Sequence, residues 1–168
     1  ACWFKTDSAS TEQIIAAQWL SSLSIGIKDG YIQTASFDGN DDVKAGDTPI
    51  QDNTWYRLVV TSDIRHDIEA DVDAAYADGF SNYDIYINGI KQTLSAGNFF
   101  RAGGDTLLGA RYYNSYSLFF NGAMSDAQGW NKVWTQSDAT FDYLNPEFLA
   151  LNSGGTSLTE SNLKIWYP

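Results

Sequence analysis

The chain has 168 residues, 43% hydrophobic and 15% aromatic, with a net charge of −11 and a pI near 4.2. That is the usual size of one domain with material for a real core. Its ten Lys and Arg are scattered, so no basic stripe exists to displace counterions from nucleic acid or to bind an anionic membrane. Apolar runs of a few residues are too short to span a bilayer.

Ala1-Cys2-Trp3-Phe4-Lys5-Thr6 reads as a strand running into a turn at Asp7–Ser10. No initiator Met or leader precedes it, so a piece of a longer polypeptide is expected. Cys2 is the sole cysteine, which removes internal disulfides and thiolate metal sites; a small buried hydrophobe is its expected role. Gln13–Ala17 is a second short strand. Leu23–Ile27 and Tyr31–Phe37 alternate in polarity around Asp29-Gly30, the pattern of a tight hairpin. Asp38-Gly39-Asn40-Asp41-Asp42 breaks the pattern. In Trp55–Ser62, Tyr56, Leu58 and Val60 share one strand face.

Residues 63–82 hold six acids, and Ile64, Ile68, Val72 and Tyr76 recur every four residues. This predicts an acidic, partly helical surface insertion, although Ile68, Ala70 and Val72 also alternate as in a strand. Tyr83-Asp84-Ile85-Tyr86-Ile87 alternates strictly, and Asn88-Gly89 supplies two residues that tolerate positive φ before Ile90-Lys91 returns. Thr106–Ala110 is a strand, Arg111–Tyr116 an aromatic loop or strand end, and Asn121-Gly122 a third tight-turn signal. Ala123–Trp134 reads as one strand kinked at Gly129. Ser137 caps a helix over residues 138–144, Pro146 opens another near Glu147–Ala150, and Leu163–Tyr167 closes as a strand. Short strands, repeated tight turns and little helix predict an all-β fold, a two-sheet antiparallel sandwich, in a single domain over 1–168.

Ala1–Thr6, Asn53–Thr61, Tyr83–Lys91 and Phe119-Phe120-Asn121-Gly122-Ala123-Met124-Ser125-Asp126 fall in the order seen in concanavalin A-like jelly rolls of the laminin-G-like group, which this chain resembles over most of its length. The resemblance implies a jelly roll whose opening strand lies before Ala1. The tail, Trp130–Asp138, Asn145-Pro146-Glu147 and Ser161–Pro168, is similar to laminin-G-like domains of phage and viral structural proteins. That implies a non-enzymatic fibre or decoration module, located on a virion or otherwise extracellular. Its partners would be host glycan or neighbouring virion subunits, a homo-oligomer included. The alternative is a calcium-dependent carbohydrate-binding module of a secreted bacterial protein. A glycan-degrading enzyme of the same broad fold is a third reading.

Sugar binding needs flat aromatic faces flanked by hydrogen-bonding groups. Arg111, Tyr112, Tyr113, Asn114 and Tyr116 offer these in one segment, although the same tyrosines could line the sandwich or a subunit contact. Calcium takes six to eight hard oxygens. Asp38, Asn40, Asp41 and Asp42 form one candidate set, Asp67, Glu69, Asp71 and Asp73 another, each against the reading of a solvated acidic loop. Catalysis has less to draw on. His66 is the sole histidine, within the acidic insertion, and the E-x-D-x-x-E strand of sandwich glycosidases is absent; Glu69-Ala70-Asp71-Val72-Asp73 comes nearest. Trp3, Trp55, Trp130 and Trp134 fall on predicted strands and are expected in the core.

Overall fold

In β1 (Cys2–Thr6), alternate side chains Cys2, Phe4 and Thr6 are buried. The computed structural model to which this strand belongs describes residues 1–18, 24–35, 43–44, 47–62, 83–94, 106–113 and 115–168. The acidic insertion 63–82 and the 38–42 cluster lie outside the described residues.

Strand β1 pairs antiparallel with β6 (Trp55–Ser62), and β6 pairs with β7 (Tyr83–Ile87). The short return strand β8 (Ile90–Lys91) flanks β7, and β12 (Gly122–Ser125) flanks β1 on the other side. The first sheet therefore runs β12-β1-β6-β7-β8. The second combines β2 (Gln13–Gln18), β3 (Ser24–Lys28), β4 (Tyr31–Ala35), β5 (Val43–Lys44) and β9 (Thr106–Leu108) in the order β5-β4-β3-β2-β9. Strands consecutive in sequence thus alternate between the sheets in groups, as in a jelly-roll sandwich.

Period-two alternation decides the core. Phe4, Tyr56, Leu58, Ile85 and Ile87 from the first sheet meet Ile15, Ile27 and Ile32 from the second. Phe4 is fully buried; its ring stacks on Tyr56 at 5.6 Å and meets Phe120 edge-on at 6.4 Å. Each such burial contributes roughly 1.5–3 kcal/mol. The expected hairpins form with the expected turn chemistry: φ is +54° and +79° at Asp29-Gly30, and +52° and +73° at Asn88-Gly89. Both match the left-handed pair of a type I′ turn.

The opposite face of the first sheet is covered as well. Val59 and Tyr86 point away from the inter-sheet core into a second cluster with Trp134, Ala139, Ala150 and Leu158. These last four come from the C-terminal segment, whose helix α1 (Gln136–Leu144) docks over the β7–β8 turn. Gly89 makes the docking possible, because a Cβ there would stand 3.0 Å from Thr140 Cα and 3.2 Å from Ala139 O.

Several sequence expectations need correction. Trp134 is buried, but Trp3 and Trp130 are only half-buried, and Trp55 is 43% exposed with Lys5 Nζ 5.6 Å from its ring centre. Tyr56 and Leu58 take the core face of β6, so Trp55 must face outward. Residues 123–134 form two strands, β12 and then β13 (Ala127–Trp130). The chain breaks at Asp126 (φ +50°), and a register shift follows at Gly129/Trp130. Asn121-Gly122 is not a tight turn: Gly122 begins β12, where a Cβ would come within 2.0 Å of Lys5 O. Thr135, not Ser137, caps α1, and no helix forms over 147–150. The chain ends in β14 (Leu163–Tyr167), paired with β13. No helix among the described residues is long and apolar enough to cross a membrane.

Candidate functional site

Tyrosines favour strands, and the run around Asn114 folds as a hairpin. Strands β10 (Arg111–Tyr113) and β11 (Ser115–Ser117) pair Arg111 with Ser117, Tyr112 with Tyr116 and Tyr113 with Ser115. The base of the hairpin is tied to β2, beside which β10 packs. Gly109 N–H donates to Ile15 O at 2.8 Å, and Ile14 N–H donates to Leu118 O at 2.9 Å. These bonds straddle the irregularity between Ile14 and Ala16, so a bulge in β2 is where the hairpin leaves the sandwich. Gly109 (φ +74°) and Leu118 (φ +51°) both adopt left-handed backbone at its base.

The register divides the predicted residues. Tyr112 and Tyr116 are direct cross-strand partners on one face, with ring centres 5.1 Å apart at 66°. Tyr116 is 55% exposed, and Phe119 beyond it is also exposed. Arg111 is one residue from Tyr112 and so belongs to the other face, opposite Ser117. It is half-buried, and its Nε has no hydrogen-bond partner. Arg111 and the tyrosine pair thus do not form one continuous surface, which corrects the grouping expected from sequence. Tyr113 is described here by its backbone pairing alone, and Asn114 lies outside the described residues.

Asp38, Asn40, Asp41 and Asp42, together with His66, Asp67, Glu69, Asp71 and Asp73, also fall outside the described residues. Among the described residues no group of three or more His, Cys, Asp or Glu could hold a metal ion.

Among the described residues, the carboxylates nearest to a pair have another task. Asp142 accepts two hydrogen bonds from Arg57, at 2.5 Å from Nε and 2.9 Å from Nη2, while Asp126 Oδ2 lies 2.9 Å from Nη1. Both carboxylates neutralise one buried cation.

A second aromatic surface, missed in the sequence, lies on β13–β14. Trp166 pairs across the strands with Gln128, is 50% exposed, and donates its Nε1–H to Asp126 Oδ1 at 2.7 Å. Gln128 Nε2 donates to Asp126 Oδ2 at 2.7 Å, and Trp130 Nε1 donates to Gln128 Oε1 at 2.9 Å. One signal was available: aromatic and aliphatic residues alternate with no polar face in Ile165-Trp166-Tyr167, and a terminal strand cannot bury both faces.

Comparison with known proteins agrees with this architecture. The family model for the concanavalin A-like lectin/glucanases superfamily, of laminin G type, matches residues 1–140. Among solved structures, a chain from Bacteroides ovatus ATCC 8483, described as a "putative carbohydrate binding protein", superposes with a TM-score of 0.63 at 18% identity. The match covers 99% of the present chain but 43% of the Bacteroides chain, and at this identity it establishes the fold alone. No curated protein matches.

Proposed function

The chain belongs to the concanavalin A-like lectin/glucanase superfamily, and from that premise we propose that it is a non-enzymatic carbohydrate-binding module acting outside the cell. The observation that carries this reading is the Tyr112–Tyr116 pair, held outside both cores on a hairpin rooted in the sandwich. Apolar C–H faces of a pyranose suit such rings, and tyrosine hydroxyls add hydrogen bonding at low entropic cost. The superfamily and the description of the Bacteroides neighbour both support a glycan partner. The virion role suggested by the tail has no support from either comparison, and the carbohydrate-binding alternative fits both better. Among the described residues, Asp126 and Asp142 are both engaged by Arg57, whereas hydrolysis needs a carboxylate pair free to flank the glycosidic bond. Calcium at Asp38, Asn40, Asp41 and Asp42 is part of the proposal.

The test is a glycan array probed with the folded domain and with Tyr116→Ala, each in calcium and in chelator. The expected result is selective binding that falls about tenfold or more in the variant, whose circular dichroism stays that of a folded domain because the ring lies outside both cores. Loss of wild-type binding in chelator would bring calcium into the site. A folded wild-type domain that binds no glycan in either buffer overturns the reading.

A further inference from the structure

We propose that Trp166 and Asp126 form a second glycan-binding subsite on the β13–β14 ribbon, separate from the Tyr112–Tyr116 hairpin; this deepens the carbohydrate-binding reading and rests on it. Protein-recognition aromatics and sugar-recognition aromatics differ in what surrounds them. A sugar platform needs a fixed ring with an unsatisfied acceptor or donor at its edge, so that hydroxyls are bound while carbon–hydrogen faces stack. Trp166 has that arrangement.

Its ring is fixed by the 2.7 Å bond from Nε1 to Asp126 Oδ1, and the strand behind it is paired to β13. Asp126 is itself immobilised. Arg57 Nη1 holds both its Oδ2, at 2.9 Å, and its backbone carbonyl, at 3.1 Å, and Gln128 Nε2 takes Oδ2 again. Among the described residues, Oδ2 therefore carries two donors and Oδ1 only one. A carboxylate offers about four acceptor positions, so one on Oδ1 stays open, and the side chain is 22% exposed. Since Oδ1 is bonded to the indole edge, a hydroxyl accepted there places its sugar ring beside the indole.

The backbone sets the direction of the carboxylate. Asp126 is one of few non-glycine residues with left-handed backbone, at φ +50°. Here it is the break between β12 and β13 that turns the carboxylate toward Trp166.

Two subsites on different strands predict avidity for long chains. Affinity electrophoresis through gels containing β-glucan, xylan, mannan or pectin, with matching tetrasaccharides in calorimetry, is the experiment. Trp166→Ala is expected to weaken retention by the bound polysaccharide about tenfold or more, whereas Trp166→Phe, which keeps an aromatic face but loses the bond to Asp126, falls between Trp166→Ala and wild type. Tryptophan fluorescence should shift on ligand addition in wild type and in Tyr116→Ala, and the shift should shrink in Trp166→Phe. If Trp166→Ala binds polysaccharide like wild type, the second subsite is wrong while the carbohydrate reading stands. If Trp166→Ala changes only sedimentation, the surface is a protein contact and the inference falls. If wild type binds no polysaccharide, both readings fall together.

Discussion

Among the described residues, Arg57 is the largest side chain that is fully buried, at 1% exposure. A guanidinium in an apolar interior costs several kcal/mol unless it is paired and hydrogen-bonded. Here Asp142 meets it with a bidentate pair, Asp126 adds a second carboxylate, and the Trp3 ring lies 5.8 Å from its central carbon. Burial raises the Asp142 carboxyl above its ordinary value in spite of Arg57, the mark of a pair that is expensive to keep dry. Asp142→Ala should therefore cost about 3–5 kcal/mol, because it strands the cation, while the double variant Arg57→Met/Asp142→Leu should recover most of that loss. Urea denaturation measures both; a double variant as unstable as the single one would show that the pair itself stabilises the fold. Sequence places Arg57 on the face opposite Tyr56, Leu58 and Val60, which reads as solvent. Its partner lies 85 positions further on, beyond the reach of any local pattern.

Helix α1 shows what an element needs beyond its own propensity. Thr135 and Asp138 form a capping box, the Thr135 side chain accepting from Asp138 N–H while the Asp138 carboxylate accepts from Thr135 N–H at 2.8 Å. The same carboxylate accepts from Ser157 N–H at 2.7 Å and from Ser157 Oγ at 2.8 Å, fastening the helix to the tail. Ser137 looked like the cap because serine is a favoured capping type, but only Thr135 has an acid three residues on that can close the box. Burial pushes the Asp138 carboxyl up, yet the hydrogen bonds from Ser157 and Thr135 outweigh it and hold the group below its ordinary 3.8. A depressed folded-state value means stabilisation that is complete above the unfolded pKa and is lost as pH falls through the folded one. Melting temperature should thus drop below about pH 4 in wild type. Asp138→Asn should be less stable near neutrality by about 1–3 kcal/mol, with a flatter acid limb. Parallel acid limbs in the two proteins would remove Asp138 from the account. The hairpin turns, by contrast, were legible in sequence. Positive φ is a property of two adjacent residues, and Asp29-Gly30 and Asn88-Gly89 supply it without help from elsewhere.

For the molecule as a whole, two hydrophobic clusters share one sheet. Leu58, Ile85 and Ile87 face the inter-sheet core, while Val59 and Tyr86, alternating with them on the same strands, face the C-terminal cover. Neither cluster can melt without disturbing β6 and β7, so thermal unfolding should be one transition. Leu58→Ala, from the inner cluster, should lower that transition by an amount equivalent to about 2–5 kcal/mol. Val59→Ala, from the outer one, should lower the same transition by less. A separate early transition in Val59→Ala, seen by calorimetry, would mean that the cover folds independently.

Local patterning along the chain settles the all-β class, most strand positions, the two tight hairpins and the aromatic character of the 111–116 segment, because alternation and turn chemistry act over a few neighbouring residues. It could not determine which strand faces are covered, since alternation defines two faces and says nothing of what docks on them. Hence Trp55 proved exposed and Arg57 buried. Nor could it group the candidate site. Hairpin register set Tyr112 and Tyr116 together and Arg111 apart, and only the pairing of β13 with β14 brought Trp166 to Asp126, 40 residues away. Those juxtapositions depend on which distant segments satisfy one another's hydrogen bonds and apolar surface, and the tertiary structure alone decides that.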